Sequence, residues 1–400
     1  MFVTHMFPYP LRDGGRIATF NSIKHLSHRM EVVLLSLMDS EPVEFIDELK
    51  PYCSDVKVHR LQKSRYAALG RGLLGDPPGS AGRYYDPEFG RLIERVVKEY
   101  SIDVVELQHL NTAAYRPWAG GVPTILREHN VEYKIWERHA GYARNALERM
   151  YVSFVAPRVK AYEASVAPQF NRCITVSEAD ARHLLSAAPM ARIEVIPFGV
   201  DVQYFLPDES IPEEPYSMVL TGGFAWQPKQ HNLRALLTEV FPRIKARVPK
   251  ATLTVVGKGA PDELRALARK IPGVTLTGTV PDVRPYLLKA ALALNYVESG
   301  GGIALKVLEA MAMRKPVLSN PLGCEGIRVS HGENAFLADG AVSFADAAVL
   351  LLENSTLRQR IAEGGYQLIK QAYAWERLAD KFYDCYASVL SESCVTARLR

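Results

Sequence analysis

The sequence predicts an α/β protein built from two facing doubly wound, Rossmann-like domains with a cleft between them. Three observations carry that expectation. Short β-branched or aliphatic runs alternate with helical-period segments from one end to the other, the pattern of parallel strands joined by crossover helices. The alternation breaks once, at LPDESIPEEPY (206–216), and then restarts. Finally, 400 residues with 48% hydrophobic content supply two cores rather than one.

In the first half, strands are expected near residues 2–7, 31–37, 56–61, 103–107, 123–127, 173–176 and 193–196, with one long helix over about 133–167. The proline-rich, acidic stretch 206–216 reads as a solvated connector. The first domain therefore takes 1–205 and the second 206–374, with strands near 218–221, 251–256, 274–277, 291–296 and 316–319. A last helix runs over about 375–390. Open parallel sheets bind ligands outside the carboxyl ends of their strands, so the chemistry belongs in strand-end loops.

Composition narrows the partners. Lys and Arg total 48 against 44 Asp and Glu, and a formal charge of +4 disfavours a polyanion such as nucleic acid. Cys53, Cys173, Cys324, Cys385 and Cys394 are scattered without a C-x-x-C, as expected of thiols in a reducing cytoplasm. Pro8 and Pro10 interrupt the amino terminus before a signal-peptide apolar region forms, and no run approaches bilayer length. The expectation is a cytoplasmic protein. The basic and apolar stretch Lys57 to Leu74 offers peripheral contact with the inner membrane face, against the plainer reading of a solvated segment.

Three glycine loops follow predicted strands. In E-S-G-G-G-I-A-L-K-V-L-E, from Glu298, the glycines Gly300, Gly301 and Gly302 let amides converge where a helix starts near Ile303. Lys306 and Glu309 share one helix face, a cation for phosphate and a carboxylate for a ribose diol. The plain alternative is a flexible turn and a surface Lys/Glu pair. A second loop, Pro8 to Arg16, carries Gly14 and Gly15 with Arg12 and Arg16. A third, Thr221-Gly222-Gly223-Phe224, leads to Lys229 at the start of a helix. His129 ends the fifth strand, placed to hydrogen-bond a sugar hydroxyl; His109 is a weaker candidate, and a satisfied structural histidine is the alternative for both. Gly70 to Gly75 matches G-x-G-x-x-G but follows no strand and is set aside. No D-x-D pair is present to hold a divalent cation, so no metal is expected.

Taken together, these loops and the segments Cys173 to Glu178, Val195 to Asp201, Thr277 to Asp282 and Gly302 to Met313 resemble the family-4 retaining glycosyltransferases of the GT-B fold. The resemblance implies transfer of a sugar from a UDP-, GDP- or ADP-sugar to a hydroxyl of a saccharide, lipid-linked or other acceptor, with no metal or other cofactor, in polysaccharide, glycolipid or other glycoconjugate biosynthesis. It makes His129, Lys229 and Lys306 the catalytic candidates, and Gly14, Gly15, Gly222, Gly223, Gly300, Gly301, Gly302, Ile303 and Glu309 the donor-binding ones. It also implies that the last helix crosses back onto the first domain. Three positions depart from the pattern: Phe198 replaces a usual asparagine, Gly223 replaces a usual arginine, and Gly301 replaces the first of two glutamates with seven residues between them. The branch is G-G-G-x-x-L-K-x-L-E. The alternatives are a nucleotide-sugar 2-epimerase on the same fold and an inactive sugar-nucleotide-binding subunit.

Overall fold

A computed structural model describes the chain except residues 39–42, 62–74, 141–144, 209, 299–302 and 399–400. It divides into two compact units, Met1–Pro197 with Leu378–Arg400, and Phe198–Arg377.

The first unit holds a seven-stranded parallel sheet of β1 (Phe2–Thr4), β2 (Val33–Met38), β3 (Asp55–Arg60), β4 (Val105–Gln108), β5 (Thr124–Glu128), β6 (Arg172–Thr175) and β7 (Ile193–Val195). Their order is β3-β2-β1-β4-β5-β6-β7. All six residues of β2 are buried, as expected of a strand covered by helices on both faces. The helices start where the sequence provides caps. Asp13 accepts from the Arg16 amide before Gly14–Leu26, Asp86 from the Glu88 amide before Pro87–Glu99, and Ser177 from the Asp180 amide before Glu178–Ala187.

The second unit has six parallel strands: β8 (Glu214–Thr221), β9 (Thr252–Val256), β10 (Val274–Gly278), β11 (Ala290–Asn295), β12 (Val317–Ser319) and β13 (Phe336–Leu337), ordered β10-β9-β8-β11-β12-β13. Alternation along β8 divides its side chains between two cores. Met218 and Leu220 pack with Phe344 of the helix Ala341–Glu353, while Val219 packs with Val307 and Met311 of the helix Leu305–Ala312. In both sheets the strand order reverses beside the first strand, between β1 and β4 and between β8 and β11. Those are the switch points where doubly wound folds hold ligands.

The structure corrects several sequence expectations. The division falls after Pro197 rather than at 205/206, because Val202 and Phe205 pack against the second unit's core and the Val200 amide donates to the Tyr373 carbonyl at 2.8 Å. The acidic connector is partly strand, since β8 starts at Glu214. The expected helix over 133–167 is two helices, Glu132–Ala140 and Ala146–Val166, the second capped by Asn145. The helix expected near Ile303 starts at Leu305, and β13 was not anticipated.

The last helix, Trp375–Arg398, belongs to the first unit from Leu378 onward. Phe382 lies 4.3 Å from the buried Arg127 guanidinium, and the Tyr386 hydroxyl donates to buried Glu106. Arg172 and Arg192 both pair with Glu392, at 2.6 and 3.0 Å. No described helix is long and apolar enough to cross a membrane.

Candidate functional site

In the second unit, the loops after β8, β9 and β11 close around the switch point. Phe224 donates its amide to the Lys258 carbonyl at 2.7 Å, and Gly222 donates to Val256 at 2.9 Å. The β8 and β9 loops touch through bare backbone. A Cβ on Gly257, whose φ is +144°, would lie 1.6 Å from the Gly222 carbonyl oxygen, so only glycine fits there. No described residue lies within 4 Å of where a Cβ on Gly223 would stand. Gln230 fastens the loop by donating to the Phe224 carbonyl at 2.9 Å. The β11 loop is held from the same helix, Gln227–Ala235: Glu298 pairs with His231 at 3.0 Å, and its amide donates to Asn232 at 3.0 Å. Glu298 also receives the Tyr296 hydroxyl at 2.7 Å, so its carboxylate is already engaged.

The short helix Leu305–Ala312 buries Val307, Leu308, Ala310 and Met311, which sets Lys306 and Glu309 along its half-buried edge. No described side chain caps its amino terminus. Neither Lys306 nor Glu309 makes a side-chain hydrogen bond or ion pair with any described residue. Part of each side chain reaches solvent, but protein encloses most of its length, and this enclosure governs their titration. Burial, then the nearby Lys229 charge, lowers the Lys306 ammonium to about 8, with Glu309 opposing. Burial raises Glu309 to about 7, with Lys306 opposing. Lys306 also lines a small pocket with Thr221 and Asn295. Two repelling ammonium groups near an uncapped helix start suit an anion, and a carboxylate lacking donors suits a diol.

In the first unit, the corresponding strand ends carry uncharged groups. The rings of His5, after β1, and His109, after β4, have centroids 5.0 Å apart, and His109 and His129 are again 5.0 Å apart. Burial first lowers the pKa of all three, and neighbouring imidazoles add to the effect at His5 and His129, so they are neutral near pH 7. His109 adopts φ of +75°, an uncommon backbone state for a residue with a side chain. His129 Nε2 lies 2.6 Å from Gln108 Oε1. Gly15, in the first turn of Gly14–Leu26, meets this group: a Cβ there would lie 3.4 Å from His129 Nδ1.

The family model for glycosyltransferase family 4 matches residues 13–204, and the model for glycosyl transferases group 1 matches 215–354. The chain belongs to glycosyltransferase family 4, and its fold is GT-B. It is 26% identical over 228 residues to the phosphatidyl-myo-inositol mannosyltransferase of Mycobacterium tuberculosis, an alignment covering 54% of this chain and 59% of that protein. Thus the match spans little more than half the length of these curated relatives. Among solved structures, sucrose-phosphate synthase from Thermosynechococcus elongatus superposes with a TM-score of 0.71 at 16% identity, covering 98% of this chain and 100% of that one. HepE from Anabaena, solved with UDP and glucose, gives 0.64 at 16% identity, covering 97% and 100%.

In this family-4 chain, the structure groups the sequence candidates by unit. Gly222, Gly223, Lys229, Lys306 and Glu309 belong to the second unit, with Lys229 close enough to depress Lys306, and Ile303 lies just ahead of their helix, partly buried. Gly14, Gly15 and His129 belong to the first, where Gly15 and His129 adjoin. Gly300, Gly301 and Gly302 lie outside the described residues. Arg16, read as able to meet negative charge, instead binds Asp13 at 2.9 Å and the Phe7 carbonyl at 3.0 Å, tying its own loop. Lys57 and Arg60 of the basic stretch are β3 residues, and Lys57 pairs with Asp55 at 3.1 Å and Glu99 at 3.4 Å. Residues 62–74, with the rest of that stretch, fall outside the described residues. His5 and Gln108 were not anticipated, although both stand at strand ends, the same position that singled out His129.

Proposed function

We propose that this family-4 protein transfers a glycosyl group, with retention at the anomeric carbon, from a nucleoside-diphosphate sugar to an acceptor hydroxyl. The observation that carries the reading is the half-buried Lys306 and Glu309 pair, with no described partner for either head group, beside an uncapped helix start and Lys229. Breaking the anomeric bond leaves charge on the diphosphate. Lys306, Lys229 and the first amides of Leu305–Ala312 stabilise that charge in proportion to its growth. Glu309 accepts from the ribose hydroxyls. The glycines Gly300–Gly302 carry their role at the diphosphate from the sequence pattern alone. No side-chain nucleophile is required when the departing phosphate oxygen takes the acceptor proton and attack occurs on the same face.

The acceptor is a saccharide, a lipid-linked group or another hydroxyl compound. The relative named as a phosphatidyl-myo-inositol mannosyltransferase supports an inositol-bearing lipid as one class to assay. We take transfer to be independent of metal ions. A calorimetric screen of UDP-, GDP- and ADP-sugars, with and without EDTA, followed by product analysis, tests the reading. One donor should bind and turn over only with acceptor present, unaffected by chelation. Epimerised donor without acceptor, or binding without transfer across an acceptor panel, defeats it.

A further inference from the structure

Gln108 closes β4 with both ends of its amide engaged. Its Nε2 donates to Glu106 Oε1, while Glu106 Oε2 receives the Tyr386 hydroxyl. Its Oε1 faces Thr19 Oγ1 at 3.3 Å and His129 Nε2 at 2.6 Å. All three members of this chain of contacts, Glu106, Gln108 and His129, are at most 4% exposed, so water does not compete for them. Reversing the amide would set its oxygen against a carboxylate oxygen, so Glu106 decides which end of Gln108 faces the histidine. An amide oxygen only accepts. His129 Nε2 therefore carries the ring proton. The ring is neutral, because burial, His109, Arg127 and His5 all oppose a second proton. Nδ1 is then the lone-pair nitrogen, and it lies on the side of the ring next to Gly15.

We propose that Gln108, aimed by Glu106 and Tyr386, is a positioning residue for His129, holding its ring in place and fixing it as the Nε2–H tautomer. This rests on the reading of the protein as a sugar transferase and deepens it.

The test uses the full chain labelled with 15N-histidine, without any substrate. Two-bond 1H–15N correlation spectra distinguish the tautomers, with the His129 signals assigned by their loss in His129→Asn. The wild type should show a single Nε2–H pattern for His129 at pH 7.5. Gln108→Leu removes the acceptor, and Glu106→Gln removes the group that orients it. Each should bring in the Nδ1–H pattern at His129 while the other nine histidines keep their signals. An Nδ1–H or averaged pattern in the wild type overturns the proposal, as does an unchanged Nε2–H pattern in the folded variants. If Gln108→Leu fails to fold, the wild type and Glu106→Gln decide. The measurement needs no turnover, so its failure is separable from failure of the transferase reading.

Discussion

The two switch points share one topology and carry opposite electrostatics. At the β1/β4 ends, three imidazoles are stripped of charge by burial, and one is hydrogen-bonded through Gln108 to a buried carboxylate. At the β8/β11 ends, an ammonium and a carboxylate keep part of their surface in water and have no described partner. A parallel sheet supplies a place for a ligand but does not specify its chemistry; the residues that leave the strands do. The neutral set of groups favours directional hydrogen bonding. The charged set, Lys306 with the nearby Lys229, favours an anion.

The contrast can be broken most severely at Lys306. Lys306→Ala should lower turnover by about 100- to 1000-fold, the usual loss when one donor to a developing charge is removed. Circular dichroism should be unchanged, because the side chain makes no described hydrogen bond. Next comes Gly257→Ala, which should destabilise the protein by on the order of 3 kcal/mol, since the new methyl meets the Gly222 carbonyl. Denaturant unfolding would register that loss. Conversely, Glu309→Gln should weaken nucleoside-diphosphate binding about tenfold in calorimetry. It should also raise the melting temperature of the ligand-free protein above pH 7, where the native carboxylate is charged at the cost of its burial.

Changing pH sharpens the comparison with smaller effects. Lys306 titrates near 8 without ligand, and an anion raises that value, so binding takes up protons. Nucleoside-diphosphate affinity should be greatest between about pH 7 and 8 and fall as pH rises beyond it. Lys306→Arg should remove that slope. Below about pH 7, affinity should also decline as Glu309 takes a proton and stops accepting from the diol. The histidines of the first unit act on stability instead. They take protons near pH 6.5 when unfolded and at lower pH when folded, so the unfolded chain gains protons first. The melting temperature should therefore decrease as pH drops through 6.5. Replacing His5 with Gln should flatten that dependence.

Twelve of the thirteen described strands were legible because most are short aliphatic runs between turn residues; β13 was not, being only two residues of strand, Phe336–Leu337. The shared helix edge of Lys306 and Glu309 was legible because three residues of helical spacing put them on one face. The unit boundary was misplaced because prolines and acids mark solvated backbone, whereas Val202 and Phe205, just ahead of them, are ordinary apolar residues whose allegiance only packing reveals. Glu106, Gln108 and Tyr386 were invisible for a related reason. The contact between Glu106 and Tyr386 spans 280 positions, and no local pattern encodes a bond of that reach.

That contact has a bearing on biosynthesis. Arg127 is enclosed partly by Phe382, and Glu106 is answered by Tyr386, so the first unit's early strands emerge from the ribosome with a guanidinium and a carboxylate whose cover is encoded as many as 280 positions later. The second unit interrupts the first as an insertion, and it is free to mature during translation while its host waits for the closing segment. Chains that terminate early would thus present an unfinished first half, a ready mark for proteolytic quality control.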